Sequence, residues 1–351
     1  MGCSSPARRG AFGSCAGARG PSRHRPDRRR AGNGIPQIDS RPSLTGSDAD
    51  RLLALAREAK LTGPDADTWA ERLWPERARI GEAADWLAAN DRLDAAVELT
   101  GATWRLWLLR GEIANGRSIL GSTLDRAQTS AATGIRASAL YGAGLLAFRA
   151  GDQTESKARN EQALAVAREI GDASAEALAL VGLSRVAFRD GDYGRVCALA
   201  HEARDLVVDL DPADGVAPLH MLAAGTRLAG DYERAHELYN ESLMLNERLG
   251  STGMISVELH NLAYVNLHRG DVGAAEECFA ACSELRRDSG NPYDAAMEAL
   301  NHAARSFANG DPRAAARLLA QARATLNDAG IQLDPDDQFE VDWLDAQLNR
   351  A

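Results

Sequence analysis

The dipeptide Gly-Asp falls at positions 151, 191, 230, 270 and 310 of a 351-residue chain, so successive copies lie 40, 39, 40 and 40 residues apart. One more step of 40 back reaches Gly111 followed by Glu112, a sixth copy with an acidic partner. Self-similarity at such a period means one supersecondary unit used repeatedly, and it constrains the fold more than composition does. In the copy HNLAYVNLHRGDVGAAEECF, residues 260–279, Leu259, Leu262, Ala263 and Leu267 recur at helical spacing before the turn. Ala275, Phe279 and Cys282 do so after it. A glycine ending the first helix can take the left-handed conformation that side chains resist, and the aspartate can then accept backbone N–H bonds of the second helix. Gly-Asp is therefore a hairpin turn rather than a reactive motif. Gly171-Asp172, Gly250-Ser251 and Gly290-Asn291 read as the turns that close second helices before the next unit opens.

A single helix pair cannot bury its own apolar faces, so neighbouring units must supply a shared core and the ends need polar caps. The expected fold is all-α: a superhelical solenoid of antiparallel helix pairs with a period of about 40 residues. Abundant alanine, leucine, arginine and glutamate, with only 5% aromatic residues, support helices and almost no sheet. The expected order is a basic tail over 1–45, a helical lead-in over 46–92, six repeats over 93–333 and a capping helix over 334–351, started by Asp334-Pro335. Pro75 interrupts what would otherwise be a continuous helix in the lead-in.

Charge divides the chain. Residues 1–45 carry nine arginines against Asp27 and Asp39, a net +7, which leaves −10 − 7 = −17 for the remainder. The tail lacks the apolar content that offsets ordering entropy and is expected to be disordered. No apolar run follows its charges, which argues against a secretory signal or membrane span. Its start, Met-Gly-Cys-Ser-Ser-Pro, approaches an acylation signal but places Pro6 where serine or threonine is needed. Arginines 23–30 have no aromatic interleaving, and the acidic body disfavours nucleic acid as the main partner, leaving a tail-borne, salt-sensitive contact as one alternative.

No cofactor or catalytic motif stands out. The only lysines are Lys60 and Lys157, neither preceded by glycine, so a Walker A phosphate cradle is excluded. The stretch GAGLLA, 142–147, matches a dinucleotide fingerprint in letters, but it lies inside a first helix rather than after a strand. His236-Glu237 runs on to Asn240 where a zinc helix needs a second histidine. Five cysteines at irregular spacing do not form a disulfide framework and suit a reducing cytoplasm. Cys278 and Cys282 share a helix face near His268, without the second ligand pair that zinc requires. A hydrolase or metal site without a sequence signature stays open as the other alternative.

The repeats resemble the tetratricopeptide (TPR) family. Gly144, Ser184, Ala223, Ala263 and Ala303 fit its small position before the turn; Ala235, Ala275 and Ala315 its alanine after it; Tyr239 and Phe279 its aromatic; Ala163, Ala203, Ser242, Cys282 and Ala322 its last small position. The period exceeds the usual 34, which requires longer second helices or exits. The stretch from Gly63 to Leu120, with Trp104 and Trp107 ahead of Gly111, and the final segment AARLLAQARATLNDAGIQLDPDDQFEVDWLDAQLNRA are similar to the repeat region of bacterial STAND-type (LuxR/AfsR-like) ATPase transcriptional regulators. That resemblance covers roughly residues 50–351 and implies a sensor or interaction role beside an ATPase and DNA-binding module, neither of which is visible in this chain.

Residues ten, six and three positions before each turn glycine should line the concave face. From these, Tyr141, Phe148, Arg185, Phe188, His220, Arg227, His260 and Tyr264 form the candidate partner-binding groove. Arginine beside aromatic residues suits a protein or peptide ligand carrying carboxylates, since guanidinium binds carboxylate through paired, directional bonds. Asn261 and Asn301 match a position that some TPR proteins use to clamp a peptide carboxylate, but the companion lysines are absent. The sequence thus points to a non-catalytic, cytoplasmic binding scaffold with no cofactor and no metal.

Overall fold

At each repeat turn the glycine has a positive φ, from 70° at Gly111 to 89° at Gly230, and the aspartates that follow cap the next helix. Asp152, Asp192, Asp231 and Asp271 each accept the backbone N–H three residues on at 3.0 Å, and Asp311 does so at 2.9 Å. The computed structural model describes residues 44–128, 133–287, 292–329 and 332–350. The basic tail lies outside the described residues but for Leu44 and Thr45, as do Cys3, Cys15 and the turn at Gly290-Asn291.

Among the described residues there is no strand. The lead-in consists of α1 (Gly46–Glu58), α2 (Ala66–Leu73) and α3 (Arg77–Ala89). Thr45 and Asp48 close a capping box at the start of α1, and Pro75 sits in a 3-10 turn, Trp74–Glu76, that links α2 to α3. Helix pairs follow: α4 (Leu93–Leu109) with α5 (Ile113–Arg126), α6 (Gly134–Arg149) with α7 (Gln153–Ile170), and α8 (Ala173–Arg189) with α9 (Tyr193–Val207). Next come α10 (Val216–Leu228) with α11 (Tyr232–Leu249), α12 (Thr252–His268) with α13 (Val272–Arg286), α14 (Pro292–Ala308) with α15 (Pro312–Ala329), and then α16 (Pro335–Leu348).

The long period has a visible origin. The second helices α7, α11 and α15 each run to 18 residues. Where α9 stops at 15 residues, a 3-10 turn over Pro212–Gly215 lengthens the exit instead. At the turn between α3 and α4 the left-handed position is taken by Asp91, with φ 59°, twenty residues before Gly111 just as Gly171 precedes Gly191 by twenty.

Close backbone approach sets how the units stack. Asn160 of α7 is buried between α6 and α8: a Cβ on Gly144 would lie 2.4 Å from its side chain, and one on Gly182 1.8 Å from it. Gly142 likewise makes room for the buried indole of Trp104, which a Cβ would meet at 2.6 Å. The GAGLLA stretch is thus the packing face of α6. In the second helices Tyr239 and Phe279 are completely buried beneath the neighbouring first helices, each contributing about 2–3 kcal/mol of apolar burial.

Deleting one cap and closing one contact should give unequal losses. Asp271→Ala is expected to lower the unfolding free energy by about 1 kcal/mol. Gly182→Ala, which must displace Asn160, is expected to cost about 1–3 kcal/mol. Urea titration followed by far-ultraviolet circular dichroism ranks the two; a larger loss for Asp271→Ala would show that turns, rather than close approach, hold the stack.

Candidate partner-binding face

The first helices of the pairs line the inside of the array, and the array curls far enough for distant units to meet. The Arg149 guanidinium of α6 lies 5.4 Å from the ring centre of Tyr293 in α14. Between them, Arg189 of α8 stacks 4.3 Å over Phe148, and Arg185 donates a 3.0 Å hydrogen bond to the Tyr141 hydroxyl. The inner face therefore combines guanidinium groups with aromatic faces, an arrangement in which ring quadrupoles add to charge attraction.

That face is already occupied by the chain's own C-terminal segment. Asp334, just ahead of α16, pairs with Arg149, and Arg189 stands 3.8 Å from it. Asp336 lies 3.3 Å from Arg227. Asp337 contacts His260 Nε2 at 2.9 Å and accepts from the Tyr293 hydroxyl, while Glu340 contacts His268 Nε2 at 2.9 Å and lies 3.6 Å from Arg227. Four carboxylates of one short segment thus meet basic or hydroxyl groups from α6, α8, α10, α12 and α14. The second half of α16 behaves differently: Val341 and Leu344 are buried in the apolar core of the last units.

The eight candidate residues are not equivalent. Tyr141, Phe148 and Phe188 are buried in the packing between units, and Arg185 is half-buried at the inner surface. Tyr264 is fully buried, its ring set edge-on to Phe279 at 5.2 Å, so it belongs to the core of its own pair. Arg227 and His260 reach the C-terminal carboxylates. His220 instead contacts Glu258, at 3.0 Å, a completely buried carboxylate that also accepts from Ser242 at 2.7 Å. Asn261 and Asn301 are buried, the latter donating towards the Cys282 sulfur at 3.9 Å. Sequence reasoning missed Arg149, Arg189, His268 and Tyr293. The first three share a register two positions before a turn glycine, one step from the positions considered, and that recurrence was the available signal.

Burial shapes the electrostatics. It pushes the Asp336 carboxyl up, as does neighbouring Asp337, against the pull of Arg227. Burial alone would raise Asp337 too, but its bonds to His260 and Tyr293, with Arg227 nearby, hold it below the usual carboxylate range. For His220 burial disfavours the imidazolium, and Glu258 outweighs it, so the ring's pKa is raised. The ligand atoms of Asp334, Asp336 and Asp337 lie within 4.8 Å of one another, a spacing that suits a cation, yet Arg149 and Arg227 already stand beside Asp334 and Asp336, and Asp337 is bonded to His260 and Tyr293. Burial raises the thiols of Cys278 and Cys282, the latter to about 11, opposite to what a thiolate ligand needs. His268 is turned towards Glu340 rather than towards these sulfurs.

A cavity of about 170 Å³ remains between the segment and the inner helices. Arg185, His220 and Arg286 face it together with Phe188, Met221 and Met254.

Among solved structures, the chain is similar to a Rap protein complexed with competence and sporulation factor, with a TM-score of 0.55 and 11% identity over 87% of this chain and 94% of that one. It is similar to NprR in complex with its cognate peptide NprX, at TM-score 0.53 and 12% identity over 86% and 98% of the two chains. The Rap conjugation gene regulator of the plasmid pLS20, in complex with the Phr* peptide, gives 0.52 and 12% over 75% and 77%. At these identities the likeness is one of fold: this is a TPR-like α-solenoid. No protein-family model and no curated protein matches the chain. Among the described residues no helix is long and apolar enough to cross a membrane.

The His220–Glu258 pair carries a pH signature. Because the folded pKa of His220 lies above its unfolded value near 6.5, its stabilising effect is complete below that value and is lost as pH rises through the folded one. The melting temperature of the native chain should therefore exceed that of His220→Gln most at pH 6, with the gap narrowing towards pH 9. A gap independent of pH would remove the charge from this contact.

Proposed function

We propose that the chain is a non-catalytic TPR scaffold that binds a protein or peptide segment along its inner face, and that it serves as the sensor or interaction part of a STAND-type transcriptional regulator, or of a close relative of one, in the cytoplasm. One observation carries the binding reading: side chains from five successive inner helices converge on the carboxylates of a single short segment. The mechanism is binding energy alone. A ligand that favours one arrangement of the units shifts the array towards it, and a linked ATPase would experience that shift as a change of state. The regulator part of the reading rests on the sequence resemblance over residues 50–351. The three similar structures named above support the peptide part, since each holds a peptide or factor.

Capture of the product from its own cytoplasm through a C-terminal tag at the native locus tests both parts. A reproducible companion, or a much larger tagged polypeptide carrying an ATPase, is the expected result. Recovery of a companion should fall severalfold for Arg185→Ala, which leaves the C-terminal carboxylates paired as they are. A tagged chain near 37.5 kDa that retains nothing would overturn the reading.

A further inference from the structure

We propose that residues 333–340, Leu-Asp-Pro-Asp-Asp-Gln-Phe-Glu, are a tethered occupant of the inner face, and that the partner is a protein segment with a similar run of carboxylates which displaces them. The inference rests on the reading of the inner face as a binding surface and adds the chemistry of the ligand and the means of gating it.

Charge complementarity is the first support. Arg149, Arg189 and Arg227 lie on three different helices and face the segment's acids, and His260 and His268 of a fourth add hydrogen-bond contacts to Asp337 and Glu340. Val341 and Leu344 anchor α16 to the last units independently of these charges. Within 333–340, Leu333 joins that same core and Phe339 packs beside His268, so the segment docks through apolar contacts as well as through its acids.

The quality of the contact is the second support. Arg227 is completely buried, yet none of its three guanidinium nitrogens has a hydrogen-bond partner in the protein; the same holds for Arg189 Nη2, Glu340 Oε1 and Asp334 Oδ1. Buried charges at 3.3–3.8 Å without directional bonds regain little of their desolvation cost. Burial and neighbouring Asp337 raise the Asp336 carboxyl, whereas the bonds from His260 and Tyr293 lower that of Asp337, so the segment's acids are unequally satisfied. Asp337 is well bonded to His260 and Tyr293, but Arg227 and Asp336 are not, so tethering at an effective concentration on the order of millimolar adds what the contact itself lacks. A free segment that makes the missing bonds can replace the tethered one.

The cavity is the third. Its volume of about 170 Å³ is comparable with the roughly 150 Å³ that accepts a benzene-sized group. Methionine walls adapt to varied shapes. Arg185, His220 and Arg286 face the same space, so it suits a side chain that brings a carboxylate as well as apolar atoms.

Hydrogen exchange of the full chain, read by mass spectrometry, tests this with the synthetic peptide LDPDDQFEV and a control, LNPNNQFQV, whose acids are amides. With millimolar LDPDDQFEV, amides of residues 336–341 should exchange at least tenfold faster while α6, α8 and α10 stay protected. The control should change nothing. The double variant Asp336→Asn, Asp337→Asn, with its circular dichroism checked against the native chain, should bind LDPDDQFEV at tenfold or lower concentration than the native chain does. If that variant does not fold, the native-chain competition still decides. Added protection on α6, α8 or α10 with residues 336–341 unchanged would overturn the tethered occupant and leave the binding surface standing. No change anywhere overturns the tethered occupant too, and a chain that also captures no companion in the cell removes the binding surface with it.

Discussion

A helix pair cannot bury its own apolar stripe, and every other feature of this array depends on that constraint. Burial comes only from the next pair, so stability is set by how closely backbones approach. Gly144 and Gly182 grip Asn160, and Ala223, Ala263 and Ala303, in the register of Gly144 in later units, have no exposed surface. The turns serve this packing. A left-handed glycine and a capping aspartate end one helix and start the next without spending apolar residues on the reversal.

Regular stacking has a consequence for charge. A residue two or three positions before each turn recurs on the inner face of every unit, so a few arginines and histidines become a basic lane. Exposed on a solenoid, such groups would be solvated singly and contribute little. Curling brings Arg149 within 5.4 Å of the Tyr293 ring and turns the lane into a partly enclosed site, where charges are stripped of water and must find partners. The acidic stretch after the last repeat supplies those partners. The outer ion pairs that tie adjacent units, such as Arg57 with Glu98 and Arg269 with Glu233, are solvent-exposed and add little by comparison.

Much of the fold was legible because it is local. The small and aromatic positions assigned from the repeat pattern, among them Ala163, Ala235, Tyr239, Ala275, Phe279 and Cys282, are buried to within one per cent. The inner face was legible less well. Periodicity puts Tyr264 on the same register as Arg185, but a tyrosine ring can turn inward against Phe279 whereas a guanidinium resists burial without a counter-charge. His220 shares its register with His260, yet its ring meets the buried carboxylate of Glu258 on α12 at 3.0 Å instead of the C-terminal acids.

The sequence by itself determined the period, the helix pairs, the turns and the close-packing positions, since each depends on residues a few places apart in one helix or its repeat. Only the tertiary structure decided what the inner face holds. Asp334 meets Arg149 and Asp337 meets His260 across 185 and 77 residues of chain, and these pairings exist only because a superhelix curls back on itself. Curvature is a sum of small rotations from every interface, so no local pattern states where the end of the chain will come to rest.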